Sequence, residues 1–244
     1  MFTIDINCDM GEDIGNDELI MPYVSSASIA CGYHSGDEYT MQNTVRLCIA
    51  HHVSIGAHPS FNDRENFGRR EMNITAEQTF RLITEQLEIL SKFIKNEKIH
   101  HVKPHGALYN MAAKDRALAE AIALAVKNFD KSLVLYGLAG SFSISEAQKA
   151  GLKTASEVFA DRTYQDDGTL TSRTQPHALI ENTDDSVKQV LQMIRQQTVT
   201  TITGKEIPIT AETICIHGDG KNAVAFARTI NQLLNKEFIE IKAI

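Results

Sequence analysis

Short apolar runs along this chain stop abruptly at His, Asp or Glu set beside Gly or Pro. Five have this form: IDINCDMGE (residues 4–12), ASIACGYHSGD (27–37), VSIGAHPS (53–60), HVKPHGALYN (101–110) and TICIHGDG (213–220). A sixth, ASEVFADR (155–162), carries its acids inside and after the run, and a seventh, SLVLYGLAG (132–140), ends in plain Gly. Short apolar runs bounded by turn residues predict buried strands. Between them the period changes to that of helices. Residues 37–52 place Met41, Val45, Cys48 and Ile49 on one stripe. In residues 75–96, Thr75 stands as N-cap, Gln78 takes the capping-box position, and Phe80, Ile83, Leu87, Leu90 and Ile94 follow helical spacing. Residues 115–129, 143–150, 184–197 and 221–235 complete the helices.

About seven strand-then-helix units in 244 residues predict a single α/β domain over residues 1–244, a barrel of parallel strands. Closure would bring the polar strand ends to one face, where barrel enzymes carry their chemistry. A doubly wound open sheet, the rival topology, would gather only some of those ends at its switch point. Two longer irregular stretches, residues 59–73 and 164–178, are expected to form walls or lids of the site.

Composition narrows the function. A net charge of -7 argues against nucleic acid as the main partner, because phosphate binding needs clustered Lys and Arg. No apolar stretch reaches the roughly 20 residues that span a bilayer. The acidic start leads directly into a strand rather than a signal peptide. Cys8, Cys31, Cys48 and Cys215 form no CxxC pair and read as small core residues of a reducing compartment. A cytoplasmic location follows by elimination.

Asp5, Asn7 and Asp9 alternate along the first strand and so share one face, the barrel interior if Ile4 and Ile6 point to the helices. Buried carboxylates need a metal, a proton or donors, although Asp9 and Glu12 would also serve as caps of the next turn. His34, His58, His105 and His217 each stand at a strand end, and imidazole is both a metal ligand and an acid/base group. No HExxH spacing occurs, so any metal site must be assembled from distant strands; Asp9, His58 and His105 are its candidates. His51, His52, His100 and His101 read as surface or helix-end residues. Lys103 alternates with His105 and suits a substrate carboxylate, an oxyanion, or an ion pair with Asp5 or Asp9. Glu157 and Asp161 bracket one strand, as expected for acid/base division, with Arg162 either in the site or paired to Asp161. Arg64, Arg69 and Arg70 suit an anion or a solvated loop equally. The sequence contains no GxxxxGK[ST], no GxGxxG after a strand and no GxSxG elbow.

Taken in order, NCDMGE, ACGYHSGD, GAHPSF…FGRR, HVKPHGALYN, EVFADRTYQDDGTL…R and HGDG closely resemble the LamB/YcsF family from Asp5 to about Ala223. The resemblance implies a distorted (β/α)7 TIM-like barrel of the glycoside hydrolase/deacetylase type. It also implies ATP-dependent opening of 5-oxo-L-proline to L-glutamate, with this chain as the A subunit beside partner subunits B and C, and with Mg expected alongside ATP. On the matching motifs the implied site comprises Asp9, Glu12, His34, Asp37, His58, Lys103, His105, Glu157, Asp161, Arg162, His217 and Asp219. For the reaction so implied, Asp9 or Glu157 is the expected base, His58 or His105 the acid toward nitrogen, and Lys103 with Arg69 or Arg70 the holder of the carboxylate or phosphate. The rival activities are a metal-dependent amide or acetyl hydrolase and a non-catalytic regulatory role; a divalent metal in this chain and a homo-oligomer both remain open. Tyr33, Ser35, Glu38, Ser60, Asn66 and His177 depart from the family pattern without removing a proposed acid, base or ligand.

Overall fold

The computed structural model describes residues 2–95, 97–218 and 223–244. Strands β1 (Thr3–Met10), β2 (Ser26–Ala30), β3 (Ser54–His58), β4 (His101–Val102), β5 (Val134–Leu138) and β6 (Lys153–Phe159) pair in parallel in chain order. An antiparallel hairpin, β7 (Thr198–Thr200) with β8 (Glu206–Pro208), follows outside the barrel. Strand β9 (Thr213–Ile216) then pairs in parallel with both β6 and β1 and closes a seven-stranded barrel. Strand β10 (Glu240–Ile241) adds to the start of β1, Thr3 opposite Glu240. The expected fold class is therefore the observed one. The hairpin and β10 lie outside the expected set; their runs are too short to carry a period.

Helices α1 (Asp17–Ile20), α2 (Glu38–His51), α3 (Ala76–Ser91), α4 (Gly106–Lys114), α5 (Arg116–Phe129), α6 (Phe142–Ala150), α7 (Thr183–Gln196) and α8 (Ala223–Lys236) surround it among the described residues. Several begin where the sequence dictates. Thr75 and Gln78 form a reciprocal capping box on α3, satisfying two amides that the first turn leaves without partners. Asp115 accepts from Ala117 and Leu118 at the start of α5. Helix α3 ends at Ser91, earlier than the apolar period suggests. Helix α4 begins directly after His105, inside a segment that the sequence pattern presents as a strand end. The expected start of the last helix, Lys221, lies outside the described residues.

Alternation along β1 has the predicted sense. Ile4, Ile6, Cys8 and Met10 join the apolar layer between barrel and helices, with Ile20, Met21, Phe226 and Ile230. Asp5, Asn7 and Asp9 point inward. The barrel interior is accordingly polar, and the main hydrophobic core lies outside it. Asp5 accepts from Ser25 (2.6 Å), Ser26 (2.8 Å) and Thr213 (2.6 Å). Burial raises its carboxyl pKa despite these donors.

His101 requires a correction. It is fully buried, stacked on Tyr136 with ring centroids 4.1 Å apart, and its Nε2 lies 3.1 Å from Ser28 Oγ. Gly56 sits opposite it in register, and a Cβ there would fall 2.1 Å from His101 Nε2. The missing side chain of Gly56 is what admits the imidazole.

Candidate active site

The strand ends do converge on one mouth, around a cavity of about 490 Å³. Asp9, His58, Lys103, His105 and His217 line it, with Phe159 and Tyr109 as aromatic walls. Both irregular stretches contribute walls as expected, Arg69 and Glu71 from the first and residues 169–174 from the second.

Lys103 organises the floor. Its Nζ lies 2.6 Å from Asp9 Oδ1 and donates to Asn7 Oδ1 (2.8 Å), Glu157 Oε1 (2.9 Å) and Cys215 Sγ (3.2 Å). Burial opposes the ammonium, yet Asp9, Cys215 and Glu157 together hold its pKa well above the usual lysine value. Burial likewise opposes the Asp9 carboxylate, but His58 and Lys103 hold it well below the ordinary range. Of the alternatives for Lys103, the pair with Asp9 is the one formed. Glu157 is fully buried beneath Lys103, where Asn7 Nδ2 also donates to it (2.9 Å); it does not line the cavity.

Beside this group His217 Nδ1 lies 2.9 Å from both oxygens of Asp161, and its ring stacks on Phe159. A carboxylate has no proton to give, so Nδ1 donates and Nε2 is left as a base toward the cavity. Burial opposes the Asp161 charge, and His217 overcomes it, so its pKa is lowered.

A second cluster gathers Glu12, His34, His58 and His105, all buried. Glu12 Oε1 is 3.0 Å from His34 Nε2, 3.4 Å from His105 Nδ1 and 3.8 Å from His58 Nε2. This is a candidate metal site. It differs from the expected trio in that Glu12 and His34 enter, while Asp9 stands at its edge, Oδ2 3.3 Å from His58 Nε2. In the turn that follows, Asp17 accepts the Gly11 amide, and Asn16 stands at the N-cap of α1.

Other candidates are placed elsewhere. Asp37 is exposed and caps α2 through the Thr40 amide (2.8 Å). Arg70 reaches Asp63 (3.6 Å) on the surface and does not line the cavity. Arg64 donates to the carbonyls of Gly32 and Gly36. Arg162 is buried, lines the cavity, and donates to the carbonyls of Thr171 (2.5 Å) and Ala178 (3.3 Å), so it holds the second wall in place. Asp219 lies outside the described residues. Cys215, read as core filler, faces the interior beside Lys103; its alternation with Ile214 and Ile216 is the signal that locates it.

The LamB/YcsF family pattern matches residues 4–244. The chain belongs to this family. Members named as the A subunit of 5-oxoprolinase include one from Shouchella clausii, 54% identical, with 100% of this chain and 99% of the relative aligned. Another, from Tolumonas auensis, is 51% identical over the full length of both. Among solved structures, a lactam utilization protein from Thermus thermophilus superposes with a TM-score of 0.93 at 40% identity, covering 100% of both chains. A peptidoglycan deacetylase from Bacillus subtilis shares the fold alone, with a TM-score of 0.52 at 12% identity, over 100% of this chain and 88% of that one. Among the described residues no helix is long and apolar enough to cross a membrane.

Proposed function

We propose that this family member is the A subunit of an ATP-dependent 5-oxoprolinase, opening the lactam of 5-oxo-L-proline to L-glutamate with partner subunits B and C. The observation that carries this reading is the pairing, in one cavity, of an Asp161-oriented His217 with an Asp9 carboxylate held ionised by Lys103. Relatives of near-equal length named for that activity support it.

Amide resonance makes the ring carbonyl a poor electrophile, which gives ATP its role: phosphorylation of the lactam oxygen activates the carbon. The sequence carries no phosphate-cradling loop, so ATP and its Mg²⁺ are assigned to the B and C subunits. Within this chain, His217 Nε2 takes a proton from water as its oxygen bonds to the ring carbon. The resulting imidazolium, stabilised by Asp161, delivers that proton to the ring nitrogen as the C–N bond breaks, leaving an acyl phosphate that a second water hydrolyses to glutamate and inorganic phosphate. Asp9, pinned in its ionised form, orients the water and offsets the transient charge on His217. Lys103 commits its protons to neighbours and therefore positions Asp9. Arg69 and Arg173 line the cavity and supply cationic surface for the substrate carboxylate.

The test is reconstitution with B, C, ATP and 5-oxoproline, measuring glutamate, then repetition with Asp9→Asn. No glutamate from the complete mixture overturns the reading. Full turnover by this chain alone overturns the assignment of activation to B and C. The His/Glu cluster favours one second reading, a metal-dependent amide hydrolase; it predicts chelator-sensitive hydrolysis of simple amides or acetamido sugars without ATP.

A further inference from the structure

The second cluster contains a conflict that its hydrogen bonds make explicit. His58 Nδ1 lies 2.7 Å from the Lys103 carbonyl oxygen, and His105 Nε2 lies 2.9 Å from the Phe67 carbonyl oxygen. Carbonyls only accept, so each of those nitrogens carries its ring's proton. In the neutral rings the remaining nitrogens, His58 Nε2 and His105 Nδ1, are then bare lone pairs, and they face each other at 2.8 Å. Lone pairs at that distance repel unless something positive lies between or beside them. Glu12 Oε1, a third acceptor, is aimed at the same point. A proton shared between the two nitrogens is one remedy. A cation satisfies all the acceptors together.

We propose that His58 Nε2, His105 Nδ1, Glu12 Oε1 and His34 Nε2 bind one divalent transition-metal ion of the zinc type. The spacing suits it. A tetrahedral ion with bonds of about 2.0–2.1 Å keeps its ligands roughly 3.3–3.5 Å apart. The separations from Glu12 run from 3.0 to 3.8 Å, all four donor atoms lie within 4.8 Å of one another, and the 2.8 Å histidine contact has to open by about half an ångström. Three nitrogens and one oxygen form a borderline donor set that selects zinc, cobalt or nickel over magnesium or calcium. The carbonyl partners are the orienting contacts that such ligands require. The one on His105 comes from Phe67, held at a φ of 54° with its ring edge-on to His34 and His105. Gly68 follows at a φ of 62°, and a Cβ there would come within 3.0 Å of His34 Cβ and 3.1 Å of His105 Cδ2. Such a Cβ would also meet Ser60 Oγ at 2.1 Å, so the loop lies close against the cluster. His34 Nε2 donates to Glu12 Oε1 at 3.0 Å, so ligation requires its proton to move to Nδ1, which has no hydrogen-bond partner; His34 is therefore the weakest ligand of the four.

The neighbouring group of Asp9, Cys215 and His217 is less suited to an ion. The Lys103 ammonium already occupies Asp9 and Cys215, and Asp161 occupies one His217 nitrogen. When bound at the histidine cluster, the ion would supply Lewis acidity at the edge of the cavity, beside Asp9. Metal binding there does not depend on the identity of the lactam substrate.

The experiment uses the full chain, stripped with chelator and titrated with Co²⁺ at neutral pH. The expected result is one equivalent bound per chain, with the intense visible absorption of four-coordinate cobalt. At about a hundredfold excess over Kd, the melting temperature should rise by about 5 °C. His58→Ala and His105→Ala should abolish binding, and His34→Ala should weaken it about tenfold, the loss of one ligand contact. Folding of each variant is checked against the melting temperature of the stripped parent. A folded parent that binds neither Co²⁺ nor Zn²⁺ stoichiometrically overturns the proposal, and a shared proton then resolves the contact. Binding that survives His105→Ala but is lost in Cys215→Ser overturns it as well. Neither readout depends on glutamate formation, so the metal site and the proposed activity fail separately.

Discussion

Lys103→Met removes one ammonium from a buried set that contains two carboxylates. The Lys103 side chain is 3% exposed, and those of Asp9 and Glu157 are 7% and 0% exposed. Deleting one partner of such a set leaves uncompensated buried charge, at a cost of about 3–5 kcal/mol. Unfolding entropy near 2.1 cal/mol/K per residue gives this chain about 0.5 kcal/mol/K, so the melting temperature should fall by about 6–10 °C. The loss should depend on pH, with a definite sign. In the parent, Asp9 is held below its unfolded value, so it contributes stability above about pH 4 and loses it as pH falls through the lower folded value. In the variant, burial dominates and raises the Asp9 pKa, so stability recovers as pH falls and the carboxyl takes up a proton. The gap between the two proteins should be widest near neutrality and close toward about pH 4–5. Urea denaturation of both across that range measures it, and Asp9→Asn in the Lys103→Met background should restore much of the loss. A gap under about 1 kcal/mol, or one indifferent to pH, would show that the ammonium does not compensate these charges.

Three further outcomes follow from the same geometry. Asp161→Asn should let His217 adopt the wrong tautomer and lower kcat of the reconstituted enzyme by about 10²–10⁴, with little change in melting temperature; unchanged turnover refutes the oriented base. His34, His101 and His105 are all held below the usual histidine pKa, chiefly by burial. The unfolded chain therefore takes up protons that the fold refuses, and stability of the chelated protein should fall below about pH 6.5 by up to about 1.4 kcal/mol per pH unit per histidine. Urea midpoints measured from neutral to mildly acid pH test this, and a flat profile contradicts it. Gly56→Ala should cost about 1–3 kcal/mol, partly recovered by adding His101→Ala; full stability of the single variant would mean that the ring is not confined.

How far the sequence was legible depended on the length of each run. Strand β1 declared its two faces because eight residues alternate without interruption, and Thr75 with Gln78 declared the start of α3. Strand β4 has only two residues, and Pro104 interrupts the period behind it. That is why His101 passes for a surface residue in the sequence. The alternation of Lys103 with His105, extended back by two, would have placed it inside. Burial and direction were readable for Asp9, His58, Lys103, His105 and His217, all of which line the cavity. Division of labour was not. Whether Glu157 meets solvent or sits beneath Lys103, or whether Arg162 faces a ligand or two carbonyls, depends on contacts between segments far apart in the chain. Asp37 shows a related ambiguity, since the same carboxylate that ends a strand motif is also a good N-cap.

A barrel lined from Asp5 to Asp9 with acids, amides, hydroxyls and a lysine gives up the aliphatic filling that makes many such scaffolds hardy. Replacing Asn7, Asp9, Lys103 and Glu157 together with well-fitting apolar side chains should yield a catalytically dead chain that is harder to melt than its parent, since buried ion sets often lose to hydrophobic substitutes of similar volume. Selection for heat resistance alone would thus drift toward inactivity from the centre of the barrel outward. Laboratory evolution of this scaffold therefore needs an activity screen at every round.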